Sequence, residues 1–411
     1  MATERLVLTN ARIFDGTGDA LHDGLEVLVE GARITAVAAR VGRAGASVLD
    51  LAGRTLLPGL IDAHFHAYAT AVDLARAQMG PRSLHALEAH ALLEDALKRG
   101  FTTVRDAAGA DLGLALATER GLIRGPRIFF SGRALTQTGG HGDFRHPEYS
   151  ELCSCGQSNG VMSVVADGVD AVRKAAREEL RKGATQIKIF VSGGISSPSD
   201  PVWMRQFTDE EIRAVVDEAA SRRTYVLAHA YTAESIARAV RCGVRSIEHG
   251  NLIDRAAAEV VREHDAFVVP TLVTYEANFR HGAAAGAPAF MLEKLEEVRL
   301  KGLDALKLLA EIGVKIGFGT DLLGPLHRFQ SDEFTIRAQV QRPADILRSA
   351  TSVNAALLLR DGELGAIRTG ALADLIAVDG NPLADIGVLG GQGERIPLVI
   401  KNGEIMKRQG I

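Results

Sequence analysis

The chain has 411 residues, of which 46% are hydrophobic and 24% are charged, and its formal net charge is −4. This composition is that of an ordinary globular protein, and it excludes the basic face required for binding nucleic acid or an anionic membrane. No stretch approaches the roughly 18 uncharged apolar residues of a membrane span, and no apolar signal core follows Met1, so the sequence predicts a cytoplasmic protein.

The cysteine content argues against a disulfide-stabilised fold. The chain has three cysteines, an odd number, and Cys242 is predicted near a helix end. Cys153 and Cys155 could form a metal or redox pair, but no second half of a zinc signature follows them. Reduced thiols are therefore expected, in agreement with a cytoplasmic location.

Short strand patterns occupy both ends of the chain. Near the start, strands are predicted at residues 6–8, 25–29 and 33–37, with a hairpin turn at Glu30-Gly31. Near the end they are predicted at 373–378, 398–400 and 404–406, with a hairpin at Lys401-Asn402-Gly403. Because each group is marginal alone, we expect both to pair into one discontinuous β-sandwich domain made of residues 1–57 and 364–411.

Strand and helix patterns alternate through residues 58–363. The eight predicted strands are 60–66, 102–106, 127–131, 186–191, 225–229, 246–249, 266–271 and 315–321. The predicted helices are 83–99, 169–182, 209–221, 233–242 and 290–312, the third with Thr208 as its N-cap. This alternation predicts an α/β fold in which residues 58–363 form a (β/α)8 TIM barrel.

Side chains that bind metal ions or move protons stand at the ends of five predicted strands, at His64, His66, Lys188, His229, His249 and Asp321. Alternate side chains of a strand point the same way, so His64 and His66 share one face. Taken singly, a histidine could be buried in the core, Lys188 could extend to solvent, and Asp321 could cap a helix. Since active sites of (β/α)8 barrels lie at the C-terminal strand ends, the whole series favours one metal site.

This series resembles the metal-dependent amidohydrolase superfamily, and the resemblance covers nearly the whole chain. It is similar to the binuclear members, which implies two divalent metal ions, with zinc as the expected metal, and a carboxylated Lys188 that bridges them. On that pattern one ion would be held by His64, His66, Lys188 and Asp321, and the other by Lys188, His229 and His249. A carbamate suits this position because an ammonium would be repelled by two cations.

The resemblance also implies a mechanism. Two metal ions lower the pKa of a shared water, so that a bridging hydroxide exists at neutral pH. Asp321 would act as general base and then as general acid, taking the proton and passing it to the leaving nitrogen. The reaction implied is hydrolysis of a C–N bond.

Further segments resemble the prolidase-like dipeptidases and carboxypeptidases of the imidazolonepropionase-related group. These segments are 136–142, 229–232 and 270–276. In that group a strand-three histidine and the tyrosine after the strand-five histidine lie near the substrate, which implies that His141 and Tyr231 bind its carbonyl or carboxylate. His141 could otherwise be a loop residue and Tyr231 a packing residue. The implied substrate is a dipeptide or an N-acyl amino acid.

The substrate side chain is left open by the sequence. An apolar pocket lining would favour a hydrophobic or proline residue, and the candidates for it are Leu322, Leu323, Trp203 and Phe207. An acidic residue in the pocket would favour a C-terminal Arg or Lys, and the candidates are Asp143, Asp200 and Glu276. A xenobiotic or mycotoxin amide, a urea or a carbamate is a further alternative, because related enzymes hydrolyse such compounds.

Two other classes of protein compete with the hydrolase interpretation. Mononuclear deaminases of the superfamily carry a glutamate three residues beyond the fifth-strand histidine, where this chain has Thr232. A non-enzymatic binding relative would usually have lost metal ligands, and none is missing here. Family habit implies a homo-oligomer, and segment 141–168 is predicted to be a lid or an oligomer contact.

Overall fold

The computed structural model of the chain describes residues 5–77, 81–145 and 161–411. Cys153, Cys155 and the central part of segment 141–168 lie outside these residues. Cys242 is buried and has a free thiol. Within the described ranges, none of the helices combines the length and the apolar character that crossing a membrane requires.

The strands and helices follow the alternation that the sequence predicts. The strands are β1 (Arg5–Ile13), β2 (His22–Glu30), β3 (Arg33–Ala38), β4 (Ser47–Asp50), β5 (Thr55–Pro58), β6 (Leu60–Phe65), β7 (Phe101–Asp106), β8 (Arg127–Phe130), β9 (Ala134–Thr136), β10 (Ser163–Val165), β11 (Ile187–Phe190), β12 (Val226–Thr232), β13 (Ser246–Leu252), β14 (Phe267–Val269), β15 (Lys315–Ile316), β16 (Leu375–Val378), β17 (Leu398–Lys401) and β18 (Glu404–Arg408). The α-helices are α1 (Leu74–Ala77), α2 (Arg82–Lys98), α3 (Leu112–Glu119), α4 (Val169–Arg181), α5 (Asp209–Ser221), α6 (Ala233–Arg241), α7 (Arg255–Glu263), α8 (Leu272–His281), α9 (Ala289–Arg299), α10 (Gly302–Ile312), α11 (Asp332–Arg337), α12 (Pro343–Arg348) and α13 (Asn354–Leu357). Two 3-10 helices, Gly324–Phe329 and Ile386–Leu389, and a π-helical turn, Ser349–Val353, complete these elements.

The two chain ends share one mixed sheet. Its strand order is β18-β17-β16-β5-β1-β2-β3, with β4 paired to β1. The ends meet where β16 runs antiparallel to β5, with Ala377 opposite Leu56. The hairpin between β17 and β18 turns at Asn402 and Gly403, whose φ angles are 51° and 78°. Asn-Gly tolerates this left-handed conformation, which explains the tight turn that the sequence predicts.

The middle of the chain forms two parallel sheets flanked by helices, which confirms the predicted α/β class. One sheet has the order β6-β7-β8, and the other has the order β10-β9-β11-β12-β13-β14-β15. Backbone hydrogen bonds join them at both seams: Thr185 N–H donates to the Phe130 carbonyl, and Ala63 N–H donates to the Phe318 carbonyl, each at 2.8 Å. The C-terminal ends of the parallel strands therefore lie on one side of the molecule.

Helix patterning places these sheets in the core. On α6, Ile236 and Val240 are buried against the sheet, whereas Glu234 and Arg241 face solvent. This spacing is that of an amphipathic helix covering a buried strand layer. The N-cap predicted at Thr208 is confirmed: its side chain accepts from Glu211 N–H, and the Glu211 side chain accepts from Thr208 N–H in a capping box.

The predicted helix over residues 290–312 is wrong, because two helices occupy that range. α9 ends at Arg299 and α10 begins at Gly302. In one continuous helix the Val298 carbonyl would accept from the N–H of Gly302. Instead that carbonyl accepts from Lys301 N–H at 3.3 Å and from the Asn251 side-chain amide at 3.1 Å. α9 therefore ends in a tighter turn, and a side chain from β13 shares its last carbonyl.

The last predicted strand, 315–321, is also shorter in the structure and ends at Ile316. The Asn354 side chain donates to the carbonyls of Ile61 at 2.7 Å and Phe318 at 2.8 Å. It also accepts from Phe318 N–H at 3.1 Å. This side chain takes the backbone groups that a regular ladder would pair, so residues 317–321 run alongside β6 in an irregular conformation.

Candidate active site

The strand ends converge on one cavity. All of the site residues predicted from the sequence line it: His64, His66, His141, Lys188, His229, Tyr231, His249 and Asp321. The alternation of side chains along parallel strands thus brings residues that are far apart in sequence to a common point.

His64, His66 and Asp321 form one half of the cluster. The Asp321 Oδ1 atom lies 3.0 Å from His66 Nε2 and 3.4 Å from His64 Nε2. One ligand atom from each of the three residues can be chosen so that all lie within 4.8 Å of one another. Two imidazoles and a carboxylate at this spacing match the donor set of a divalent zinc-type ion, so these residues fit one metal.

His229, His249 and Lys188 form the other half. The His229 and His249 rings lie 4.7 Å apart, and the His249 ring lies 5.0 Å from that of His64. Burial lowers the pKa of both His229 and His249 well below the ordinary value, so both imidazoles stay neutral. The neutral ring has the free nitrogen lone pair that binds a metal ion, and the donor chemistry of this half therefore also fits.

Lys188 is the one cationic side chain of this cluster. It is only 2% exposed, and burial lowers the pKa of its ammonium to about 8. A larger share of the side chain is therefore a neutral amine near neutral pH than for an exposed lysine. The neutral amine is the form that can react with carbon dioxide.

Asp321 is ionised in this environment. Burial raises the pKa of its carboxyl, but the charge and hydrogen bonds of His64 and His66 outweigh burial and hold it well below the ordinary value. For His66 the balance has the opposite sign: burial opposes protonation, but the hydrogen bond and charge of Asp321 raise its pKa. The group at the end of the last strand is thus a carboxylate able to accept a proton.

Two of the clustered residues have strained backbones. The φ angles are 73° at His249 and 53° at Asp321, in the left-handed region that costs an L-residue about 1–2 kcal/mol. Asp321 is held there because its N–H donates to the His64 carbonyl at 2.8 Å. Asp62 ties the same two segments, accepting from Thr320 Oγ1 at 2.6 Å and from His64 N–H at 3.0 Å. Such strain is common where a functional side chain must be aimed.

A buried ion pair orients His64. Glu248 Oε2 lies 2.6 Å from His64 Nδ1, and both carboxylate oxygens of Glu248 accept from Arg105 Nη2 at 2.8 Å. Ser246 Oγ also donates to Glu248 at 2.5 Å. The charge of Arg105 and the hydrogen bond from His64 outweigh burial and hold the pKa of Glu248 below its ordinary value. With Nδ1–H fixed on Glu248, the other nitrogen of His64 is directed to the cluster.

We expect Glu248→Gln to lower the free energy of unfolding by about 3 kcal/mol or more, because it leaves the Arg105 guanidinium buried without a counter-charge. Urea unfolding in one zinc-containing buffer measures the loss. The matched control is Glu259→Gln on the exposed face of α7, which should stay within about 0.5 kcal/mol of wild type. Equal effects of the two substitutions would show that the ion pair does not stabilise the fold.

His141 and Tyr231 lie beside the His229 ring of the cluster. The His141 ring stacks on the His229 ring with centroids 4.3 Å apart and an interplanar angle of 21°. The Tyr231 oxygen accepts from Tyr275 O–H at 3.1 Å. Burial raises the pKa of the Tyr231 phenol above its ordinary value, so it keeps its proton and can donate to a substrate oxygen. The sequence missed Tyr275, although it lies within the 270–276 segment.

The acidic residues proposed for a cationic pocket carry other contacts and do not line the cavity. Asp143 accepts from Arg145 Nε at 2.6 Å and from Gly139 N–H at 3.0 Å. Glu276 accepts from Arg299 Nη1 at 3.0 Å, and Asp200 contacts His141. These contacts remove the basis for a pocket that selects Arg or Lys.

The lining away from the cluster is largely apolar. Of the apolar candidates from the sequence, Leu323 lines the cavity, whereas Leu322, Trp203 and Phe207 do not. Trp203 is 73% exposed. The rest of the apolar wall comes from side chains that the sequence did not assign to the pocket: Leu74, Phe144, Met162, Phe190, Ile195 and Met291. This part of the cavity fits an uncharged hydrophobic group.

Known proteins are similar to this chain over most of its length. The sequence pattern described as the amidohydrolase family matches residues 55–406. Ochratoxinase of Aspergillus niger is 33% identical over 370 residues, which cover 87% of this chain and 76% of the ochratoxinase. A solved prolidase in complex with N-methylphosphonate-L-proline is 50% identical, with a TM-score of 0.96 over 98% of this chain and 100% of that chain. A solved Xaa-Pro dipeptidase with methionine bound in its active site is 32% identical, with a TM-score of 0.89 over 98% of this chain and 99% of that chain.

These similarities agree with the clustered donors at the strand ends. The family pattern spans the entire clustered set, from His64 to Asp321. The chain belongs to the amidohydrolase family and is a hydrolase that acts on C–N bonds.

Proposed function

We propose that this chain is a binuclear metal-dependent amidohydrolase that cleaves dipeptides or N-acyl amino acids carrying an apolar side chain. The observation that carries the proposal is the convergence of four histidines, a lysine and an aspartate on one cavity with a largely apolar wall. The two parallel sheets are then the two arcs of a closed (β/α)8 barrel over residues 58–363. Residues 1–57 and 364–411 form the accessory domain. A homo-oligomeric state and a cytoplasmic location stay predictions.

The donor set would suit two divalent ions, with zinc as the expected metal. His64, His66 and Asp321 would hold one ion, His229 and His249 would hold the other, and Lys188, if carboxylated, would be a ligand of both. When bound, such a metal pair supplies an activated water and polarises the scissile carbonyl. Glu248 keeps His64 in the tautomer that binds metal.

Asp321 moves the proton in this proposal. It is an ionised carboxylate at the mouth of the cavity, so it can accept a proton from the attacking water. It then delivers that proton to the leaving nitrogen, which departs as an amine. Its positive φ and its hydrogen bond to the His64 carbonyl hold it in place during both transfers.

His141 and Tyr231 bind the substrate oxygen atoms. Both groups can donate hydrogen bonds to a carbonyl or a carboxylate. The Tyr275–Tyr231 hydrogen bond uses a lone pair of the Tyr231 oxygen and leaves its proton free for the substrate. The similarity to a prolidase that binds a proline phosphonate supports a substrate with an amino-acid carboxylate.

A mycotoxin amide is the second candidate substrate. It is favoured by the similarity to ochratoxinase, whose name denotes action on ochratoxin, together with the apolar wall of the cavity. Both candidates require an amide bond beside a hydrophobic group. They differ in the size of the acyl part.

A panel of amides tests the proposal, with released amine as the readout. It contains Xaa-Pro dipeptides, N-acetyl derivatives of Phe, Leu, Pro and Lys, and ochratoxin, each incubated with zinc-loaded protein. We expect hydrolysis of apolar members, with N-acetyl-lysine at least about 10-fold slower because, among the described residues that line the cavity, the only carboxylate is that of Asp321 in the metal cluster. Hydrolysis of ochratoxin alone would select the mycotoxin alternative, and no hydrolysis of any member would refute the proposal.

A further inference from the structure

The loop after β11 carries a buried carboxylate against His141. Asp200 is fully buried, and its Oδ2 atom lies 3.0 Å from His141 Nδ1. The same oxygen accepts from Gly194 N–H at 2.9 Å and from Gln206 Nε2 at 3.2 Å. Its other oxygen, Oδ1, has no hydrogen-bond partner in the described part of the chain. Neither the metal cluster nor the proton transfer uses this residue.

Lys294 fastens this loop from α9. Its ammonium donates to the carbonyl oxygens of Gly194 at 3.2 Å, Ser197 at 2.8 Å and Asp200 at 2.6 Å. It also lies 3.8 Å from the Asp200 Oδ1 atom. Three carbonyls around one ammonium fix the loop conformation, and the adjacent charge offsets the cost of burying the Asp200 carboxylate.

The fastened loop encloses the His141 ring. A Cβ atom at Gly194 would lie 2.3 Å from His141 Cε1, so the backbone passes directly over the ring and only glycine fits there. On its other side the ring stacks on His229. An ionised carboxylate has no hydrogen to donate, so in its contact with His141 the Asp200 oxygen accepts from Nδ1–H. Nε2 is then the nitrogen offered to the substrate.

We propose that Asp200, held by Lys294, is a positioning residue that fixes the orientation of the His141 ring toward a substrate carboxylate. The proposal rests on the proposed function, in which His141 binds the carboxylate of an N-acyl amino acid. Because Asp200 holds Nδ1, Nε2 is the ring nitrogen that faces the substrate. Without Asp200, Nδ1 has no acceptor and the orientation of the ring is no longer fixed.

The first test compares two substrates that differ only in the carboxylate, N-acetyl-L-phenylalanine and N-acetyl-2-phenylethylamine. Asp200→Asn is expected to raise KM for the acid by about 10-fold and to change kcat by less than about 3-fold. The substrate without the carboxylate should be cleaved as by wild type. In a His141→Gln background Asp200→Asn should add no further loss for the acid. The proposal would be overturned if Asp200→Asn slowed both substrates equally, or if the losses from Asp200→Asn and His141→Gln multiplied in the double variant. Either result would mean that Asp200 only supports the fold.

A spectroscopic test stands apart from activity. NMR spectra are recorded for zinc-loaded protein with ¹⁵N-labelled histidine. The signals of His141 are assigned as those that are absent from the spectrum of His141→Gln. The wild type should show a hydrogen on Nδ1, and Asp200→Asn should shift these signals because an amide can donate where a carboxylate accepts. An unprotonated Nδ1 in wild type, or unchanged signals in the variant, would refute the proposal. This result is independent of the amide panel, so it separates failure of the positioning role from failure of the proposed function.

Lys294 supplies a second variant if Asp200→Asn does not fold. Lys294→Met removes the donor to the three carbonyls, and it should raise KM for the acid by about 3-fold or more while sparing the substrate without the carboxylate. Lys294→Arg keeps the charge and donors and should restore most of the difference. If Lys294→Met affects both substrates equally, the loop does not act through His141.

Discussion

Asp321→Asn is expected to lower kcat by about 1,000-fold or more, which corresponds to about 4 kcal/mol of transition-state stabilisation. Asparagine keeps the size of the side chain and an oxygen that can bind a metal ion. It cannot accept the proton of the attacking water, and it therefore cannot deliver that proton to the leaving nitrogen. The loss should fall on kcat more than on KM, because the interaction is made in the transition state.

The measurement is kcat on the best amide of the panel, with the metal content of each preparation determined in parallel. The matched control is Asp254→Asn, since Asp254 is an exposed N-cap whose side chain accepts from Ala257 N–H at 2.8 Å. Asparagine caps helices about as well as aspartate, so this variant should turn over at the wild-type rate. An Asp321→Asn enzyme with bound metal and near-native kcat would remove Asp321 from proton transfer.

Lys188→Ala is expected to abolish activity and to reduce the metal content together. Lys188 lines the cavity together with both histidine groups. Phe190 is the other described residue of β11 that lines it, and its side chain has no metal-binding atom. If Lys188 carries a carbamate, its removal leaves both ions without their shared ligand.

Chemical rescue decides whether that ligand is a carboxylate. Acetate, propionate and butyrate should each restore part of the rate of Lys188→Ala by filling the space that the side chain leaves. Chloride at the same ionic strength should not, because it lacks two oxygens to bind two cations. The control is Lys174→Ala on the exposed face of α4, which should keep wild-type activity and metal content. Full activity of Lys188→Ala without any added acid would contradict a bridging role.

The strand ends of the site could be predicted because their signal is local. A buried strand such as β12 is a largely apolar run, and a histidine within it, such as His229, is visible in a single window of sequence. The rule that parallel strands present their C-terminal ends to one side then brings the windows together. These site residues could be predicted because each strand was identified from residues that are neighbours in the sequence.

The irregular parts could not be predicted because side chains that are distant in sequence contact them. Asn354 hydrogen-bonds backbone groups of Phe318 and Ile61 beyond the end of β15, and Asn251 hydrogen-bonds the Val298 carbonyl where α9 ends. The hydrophobic periodicity of the sequence continues across the end of β15 and across the junction of α9 and α10. Only the tertiary contacts reveal these two interruptions.

The charge of the pocket was misjudged for a similar reason. On sequence alone, any of the acidic residues Asp143, Asp200 and Glu276 could select a cationic substrate. Arg145 lies two residues from Asp143, but Arg299 and Lys294 reach Glu276 and Asp200 from other elements. No spacing in the sequence signals the last two pairs. These contacts are the reason that the proposed substrate is apolar and not cationic.

The number and position of bound metal ions decide between the binuclear hydrolase and its alternatives. Crystals of zinc-loaded wild-type protein, measured at the zinc absorption edge, should show two anomalous peaks in the cavity. One is expected beside His64, His66 and Asp321, and the other beside His229 and His249, with added density on the Lys188 nitrogen. A single peak with an unmodified Lys188, or peaks outside the cavity, would contradict the binuclear site.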